Sequence, residues 1–505
     1  MKTEQVAAPS AFSLAEYDSS HFRSETNKHI RVGLVQPLIP DGNYLPNLGI
    51  MYLAARLLQE GFSVEIFDEN IHGEISAKVR AYKPHILGFT CVTAAAPAAA
   101  RLAERLRVDL PDCRFVIGGP HVSSVPTETL EKFPVFEFGF VGECELSFPA
   151  FCRDLYDGTV DLPKVSGLVW NDGDEVRRNL SSRFMSEEDL QRVPFPAWHL
   201  IPVEQVFSGA THGLFSRGKR IMPIMTTRGC PNYCGFCARV MGFELRRRSI
   251  DLVLREIQWL YDTYNIDEIY FEDDTFTQDM ERAEELLQGI IDLRLPIHVK
   301  FANGLRADKV NRRLLTLMKQ AGVYWVGFGI ESGSPRTQEA MYKYLDLDLA
   351  KRNVQLAKDL GFRVGSNCII GYPGETKEDI AESIEYFLEL KLDSMAIVSC
   401  VPFPGTTAWQ ICKANGWFTE LADDYSNYWF EIFKVSPLIE TPMLTARDLS
   451  RAITMAYVRF YILNPPRLAR IGRMFIKGKV NAFNRSVRLL RANLMSAAGH
   501  NEARS

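Results

Sequence analysis

From His29 onward the chain alternates short, almost wholly apolar runs with segments whose apolar residues return every three or four positions. IRVGLVQP, FSVEIFDE, HILGFT, CRFVIGGPHVS and FGFVGE are of the first kind. LGIMYLAARLLQEG, a polar stretch ending at Tyr82 and a stretch through Arg101 to Val108 are of the second. Uninterrupted apolar runs of about four to eight residues predict strands buried on both faces, and the helical period between them predicts crossover units on a parallel sheet. Residues 29–160 are therefore expected to form an α/β, doubly wound (Rossmann-like) domain. Residues 161–215 lose the pattern. There SGLVW reads as an isolated strand among charged turns (NDGDE) and the proline-spaced VPFPAWHLIP, which predicts a connector that packs a few aromatics.

A second series begins at Ile221. IMPIMTT, DEIYFED, HVKFANG, VYWVGFGIES, RVGSNCIIGYPGET and SMAIVSCVPFPGT are strand candidates, each followed by a helix or loop. Six such units are too few for an eightfold barrel, so residues 216–425 are expected to fold as a partial (β/α)6 barrel. Residues 1–28 read as a loose polar arm without the charged and apolar regions of a secretory signal. The helical C-terminal extension, residues 426–505, is basic: Thr441 to Ser505 holds 12 Lys/Arg against 2 Asp/Glu. It reads either as a cap with solvated or paired arginines, or as a surface for an anionic substrate or membrane headgroups.

Composition narrows the classes. With 505 residues, 46% of them apolar, the chain can bury several cores, and its formal charge of −4 supplies no basic field, so nucleic acid is not an expected partner. The least charged run, HILGFTCVTAAAPAAA, falls short of the roughly 20 residues of a spanning helix. Of ten cysteines only three cluster, which favours a reducing, cytoplasmic setting over a disulfide framework.

Those three lie in TTRGCPNYCGFCAR, just after the first barrel strand: Cys230, Cys234 and Cys237. Thiolates are soft ligands for zinc or iron–sulfur clusters. A structural zinc site would want a fourth ligand nearby, and His212 and Cys368 lie in other segments. Three thiolates instead leave one iron of a [4Fe-4S] cluster open. The spacing Cys-x3-Cys-x2-Cys, with Phe236 before its last cysteine, resembles the signature of the radical S-adenosylmethionine (SAM) enzymes. That resemblance implies that SAM chelates the open iron and is cleaved to a 5′-deoxyadenosyl radical, with an electron donor such as flavodoxin or ferredoxin. It also implies SAM contacts from Phe236, from Asp273 and Asp274 of an acidic motif, from Asn303 and Arg306, from Glu331, and from Pro373 and Gly374. Asp274 also has a plausible reading as a helix cap, and Arg306 one as a surface arginine.

The N-terminal domain carries no G-x-G-x-x-G after its first strand. A ligand on such a sheet belongs at the carboxyl ends of the strands: the loop 36–48, the Thr90 region and Gly118-Gly119-Pro120-His121. A domain of this kind followed by a radical SAM barrel resembles the cobalamin-dependent radical SAM family (class B methyltransferase-like) over roughly residues 29–420. The resemblance implies cobalamin contacts from Pro37, Asn43, Tyr44, Thr90, Gly118, Gly119, His121, Gly142 and Glu143. The loop 36–48 contains no histidine, so cobalamin is expected to bind without a histidine ligand, His72 and His121 included. The implied chemistry is methylation of an unactivated sp3 carbon of a natural-product or lipid-like, possibly phosphorylated, small molecule. Alternatives are a radical SAM enzyme that cyclises, rearranges rings or oxidises, and a non-catalytic corrin or cluster sensor. A methylthiotransferase fits less well, because Cys91, Cys113, Cys144 and Cys152 are scattered.

Overall fold

A computed structural model describes residues 14–22, 25–39, 46–173, 175–180, 183–208, 216–429, 437–464 and 467. Asn43, Tyr44 and most of the basic tail lie outside the described residues. In the first domain β1 (Arg31–Gln36), β2 (Ser63–Asp68), β3 (Ile86–Thr90), β4 (Arg114–Gly118) and β5 (Phe138–Phe140) are parallel, in the order β2-β1-β3-β4-β5. The order reverses between β1 and β3, which opens a crevice at their carboxyl ends. β1 is buried from Val32 through Gln36, as a strand covered by helices on both faces must be.

SGLVW is not isolated. β6 (Leu168–Asn171) adds antiparallel to β5, and β7 (Val176–Arg178) adds antiparallel to β6, so the sheet has seven strands. The three-residue β5 leaves an unpaired edge, and the hairpin covers it with Trp170 opposite Phe138. The described part of the N-terminal arm is docked, not loose. Tyr17 stacks on Phe195 at 5.4 Å and its carbonyl accepts from Phe195 N at 2.9 Å, while Asp18 accepts from Trp259 Nε1 at 3.1 Å.

The second domain starts with β8 (Ile221–Ile224), then an antiparallel ribbon of β9 (Thr227–Arg228) and β10 (Arg246–Arg247) whose hairpin carries the three cysteines. β11 (Glu268–Phe271) and β12 (His298–Phe301) follow in the parallel order β12-β11-β8, and β13 (Trp325–Glu331), β14 (Arg363–Ile370) and β15 (Ser394–Ser399) form a second parallel triplet. The triplets meet through parallel bridges Val299–Val323 and Leu305–Phe328, giving one curved six-stranded sheet. The long helices after β10 through β15 start at Ser249, Asp279, Asn311, Asp346, Thr376 and Thr406, each side chain accepting from the backbone N–H three residues on; the short helix Pro335–Ala340, between β13 and Asp346, has no such cap. Such caps satisfy donors that the helix itself leaves unpaired.

Among the described residues no further strand pairs with the outer edge of β15. The helix Ala446–Tyr457 and the π turn after it cover that edge with side chains. Tyr457 Oη donates to Ile397 O at 2.7 Å and accepts from Ile397 N at 3.0 Å, and Tyr461 Oη does the same for Met395 at 2.8 and 2.9 Å. A single apolar core runs from Met51 of the first domain through Trp198 of the connector to Ile257 of the barrel. Trp198 and Trp170 thus belong to packing between elements. Among the described residues no helix is long and apolar enough to cross a membrane.

Candidate active site

The cysteine hairpin is shaped by its glycines and by the elements it touches. Gly229 has φ +85°, and a Cβ there would stand 2.1 Å from Glu244 O across the hairpin base. Cys230 N donates to Gly242 O at 3.1 Å, Gly235 N to Met341 O at 2.8 Å, and Ala408 N to Gly235 O at 2.9 Å. The first bond closes the hairpin on itself, and the other two tie its tip at Gly235 to the segments after β13 and β15. Asn232 Nδ2 donates to Cys230 Sγ at 3.3 Å, while Cys234 and Cys237 share a hydrogen bond. That bond lowers the Cys234 thiol, and Lys343, Arg306 and Arg239 lower it further. Among the described residues no three His, Cys, Asp or Glu side chains already form a closed metal ligand set, so holding a cluster requires the loop to exchange these contacts for Fe–S bonds. The donor chemistry fits such a cluster: three thiols on one loop, with cations beside Cys234 to offset thiolate charge.

The strand ends surround this loop with carboxylates. Asp273, buried, accepts from Thr226 N at 2.8 Å, Thr226 Oγ1 at 3.0 Å, Thr227 Oγ1 at 2.9 Å and Thr227 N. It is fully engaged in fixing the segment that enters the cysteine hairpin. Its neighbours are freer. Burial raises Glu272 to about 7, and the charges of Asp273 and Asp274 add to it; Asp274, whose side chain reaches solvent, is raised in the same direction by the packed strand end behind it and by the Asp273 charge. Asn303 Nδ2 donates to Asp273 O at 3.0 Å and Glu272 O at 3.3 Å, tying the ends of β11 and β12 together. Arg306 holds Asp308 with two hydrogen bonds of 3.0 and 2.8 Å and donates to Lys343 O at 3.2 Å, so it faces the site and is no ordinary surface arginine.

Glu331 ends β13 at φ +69°, an unfavourable backbone for a residue with a side chain, just after a register shift against β14. The bend places its carboxylate 3.7 Å from Lys343 Nζ, with both side chains buried. Phe236 lies under the same ammonium, 5.5 Å from ring centroid to Nζ. Pro373 is buried and Gly374 exposed at φ +91° in the turn before the Thr376 cap. The structure thus brings Cys234, Phe236, Arg306 and Glu331 around Lys343, a residue absent from the sequence-derived set. Its signal was the stretch MYKYL, in which Lys343 shares parity with Met341 and Leu345, both buried, while Tyr342 and Tyr344 are exposed at φ +52° and +49°.

At the carboxyl edge of the first domain, Thr90, Gly118 and Gly119 lie side by side. Gly119 has φ +94°, and a Cβ there would stand 2.8 Å from Thr90 Oγ1 and 2.9 Å from Cys91 N, so only glycine lets the two turns meet. Pro37 is buried at the end of β1. Gly142 N donates to Ser123 Oγ at 2.9 Å. Small residues and backbone here suit a large ligand laid on the strand ends, and the described part of the first loop offers cobalt no histidine. Two expected contacts point elsewhere. His121 is wholly buried, its Nδ1 3.3 Å from Thr93 Oγ1, its ring edge-on to Tyr425 at 4.7 Å, and burial pushes its pKa down to about 4. Glu143 is turned into the domain interface, where its carboxylate meets Arg246 at 2.6 Å and Arg228 at 3.3 Å and accepts from Met185 N at 2.7 Å. Both residues follow tight turns at strand ends, which is why the sequence places them in the crevice. Buried partners from distant segments draw them inward.

Two family models match this chain: the B12 binding domain over residues 38–152 and the Radical SAM superfamily over residues 224–387. An uncharacterized methyltransferase of Pyrococcus horikoshii is 29% identical over 83% of this chain and 88% of its own length. The cytidylyl-2-hydroxyethylphosphonate methyltransferase of Streptomyces wedmorensis is 28% identical over 78% and 84%. The anaerobic magnesium-protoporphyrin IX monomethyl ester cyclase of Rubrivivax gelatinosus is 25% identical over 83% and 74%. Among solved structures, the radical SAM methyltransferase TsrM from Kitasatospora setae, with cobalamin and a [4Fe-4S] cluster bound, superposes with a TM-score of 0.66 at 18% identity, covering 87% of this chain and 89% of that one. With a B12-binding domain followed by a radical SAM domain, this chain belongs to the cobalamin-dependent radical SAM enzymes.

Proposed function

We propose that this enzyme methylates an unactivated sp3 carbon of a natural-product or lipid-like small molecule. The observation that carries the proposal is the approach of the two strand-end surfaces. Gly405, in the loop after β15, has φ +81°, and a Cβ there would stand 3.0 Å from Ser124 O, in the helix that follows Gly119. This close approach supports a reading in which the barrel mouth and the corrin edge border one space, as a substrate reached from both sides requires. When bound, the cluster with SAM supplies a 5′-deoxyadenosyl radical and the corrin supplies a methyl group. The residues of this chain bind and orient these groups. Cys230, Cys234 and Cys237 hold the cluster, Glu272 and Asp274 receive the SAM ammonium, Lys343 and Arg306 face its carboxylate, and Asp273 fixes the loop. The curated methyltransferase relatives support this reading, while the cyclase relative favours a second one, radical cyclisation without methyl transfer.

Anaerobic reconstitution with iron, sulfide, cobalamin, SAM and strong reductant tests it. In the presence of a substrate, 5′-deoxyadenosine and S-adenosylhomocysteine should form in equal amounts. Deoxyadenosine alone would move the assignment to the second reading, and no deoxyadenosine would remove both.

The raised carboxyls give a pH dependence with a definite sign. A carboxyl raised to about 7 holds its proton below that pH, yet an ammonium binds its ionised form, so binding releases a proton. The affinity for SAM should rise about fivefold between roughly pH 6 and pH 7.5, above which the ammonium, with a pKa of about 8, begins to lose its own proton. Calorimetry in buffers of different ionisation enthalpy reads both the affinity and the proton. Glu272→Gln should flatten the profile, and an unchanged profile would place the ammonium elsewhere.

A further inference from the structure

The base of the cysteine hairpin poses an electrostatic problem. Arg228 and Arg246 are direct cross-strand partners in the β9–β10 ribbon, a placement that sets two like charges side by side. Both are buried, at 4% and 3% exposure. Among the described residues no barrel carboxylate forms an ion pair with either of them, although Asp274 is near enough to Arg246 to feel its charge. The neutralising groups come from the other domain: Glu145 meets Arg228 at 2.7 Å, and Glu143 meets Arg246 at 2.6 Å and Arg228 at 3.3 Å. The two carboxylates flank Cys144 in one three-residue segment directly after Gly142. A buried charge stripped of its partner is strongly destabilising, and here two would be stripped together.

The same segment is joined to the corrin edge. Gly142 N donates to Ser123 Oγ, and Ser123 Oγ donates to Gly119 O, each at 2.9 Å. At the other end, Arg228 stands one residue before Gly229, whose conformation starts the cysteine loop. A short chain of hydrogen bonds and ion pairs thus runs from the turn after β4 to the first cysteine.

We infer that Glu143 and Glu145 of the B12-binding domain are positioning residues for the iron–sulfur loop, which keeps its shape only while the two domains are docked. This rests on the cofactor assignments proposed above. It makes the first domain more than a corrin carrier: it completes the base of the hairpin that holds the cluster. Radical generation is thereby restricted to chains in which the methyl-carrying domain is in place.

The test uses the full chain carrying Glu143→Gln and Glu145→Gln together. Amide hydrogen exchange over residues 227–247 should become at least about tenfold faster, with exchange in β3 and β4 unchanged. After reconstitution the reduced cluster should show an altered electron paramagnetic resonance spectrum while cobalamin content stays at the wild-type level. The quadruple variant that also carries Arg228→Gln and Arg246→Gln strands no buried charge, so it should recover protection over residues 227–247 and the wild-type spectrum, and it decides the matter if the double glutamine variant fails to fold. Wild-type exchange and spectrum in the double glutamine variant, or no recovery in the quadruple variant, would overturn the inference. Exchange is read on the chain without iron or corrin as well, so failure of the wild type to take up cofactors would count against the proposed function alone.

Discussion

Cys234→Ala should yield a folded protein that assembles no four-iron cluster. Cys234 is 6% exposed and sits at the centre of the loop, beside Cys237 and close to Lys343. Alanine is only slightly smaller and leaves the apolar surroundings intact, so thermal unfolding should stay near that of the wild type. Two cysteines cannot hold a cluster that needs three protein thiolates, and without the cluster SAM has no electron source. Deoxyadenosine formation should fall below about a thousandth of the wild-type rate, because a reaction of this difficulty has no measurable background. Cys152→Ala, at a buried site in the core of the first domain, serves as the matched control and should keep its iron. Four irons per chain in Cys234→Ala would refute the assignment of this loop.

Gly229→Ala should be nearly as damaging although it adds one methyl group. A side chain at φ +85° costs about 1–2 kcal/mol, and the new Cβ would also overlap Glu244 O, a backbone atom that no rotamer change can move. The hairpin base must open, which displaces Cys230 from its bond to Gly242 O. Iron content after reconstitution should drop by more than about half. Gly73 separates the two causes. It has φ +67°, but a Cβ there meets nothing within 4 Å, so Gly73→Ala should destabilise slightly and leave the cluster unaffected. Equal iron in both variants would show that the collision with Glu244 is not decisive.

The parts of the molecule that were legible in the sequence are those governed by local pattern. Parallel strands covered on both faces must be apolar throughout, so IRVGLVQP and HILGFT announced β1 and β3. The cysteine loop was legible because its spacing is itself the chemistry. What escaped depends on partners far along the chain. Asp273 reads as a free carboxylate at a strand end, and only folding shows it consumed by Thr226 and Thr227, 47 and 46 positions earlier. Glu143 reads as a crevice residue, but its partner Arg246 is 103 positions later. Lys343 lies in a short loop that matches no motif, and its inward direction comes from two tyrosines held at positive φ. The hairpin of β6 and β7 reads as connector because a three-residue β5 gives no hint that its edge needs cover.

The Tyr425–Asn427 turn lies on the carboxyl edge of the first domain, against His121, and Lys132 fastens it by donating to Asp423 O at 3.0 Å. Ribosomal order gives this arrangement a temporal meaning. The first domain leaves the ribosome long before its cover is made, and at ordinary synthesis rates the interval is roughly 10–50 s. During that time the edge beside His121 faces solvent, and the turn that packs against it is among the last parts of the barrel region to emerge. The contact between the first domain and the Tyr425 turn can therefore form only after most of the barrel has been made.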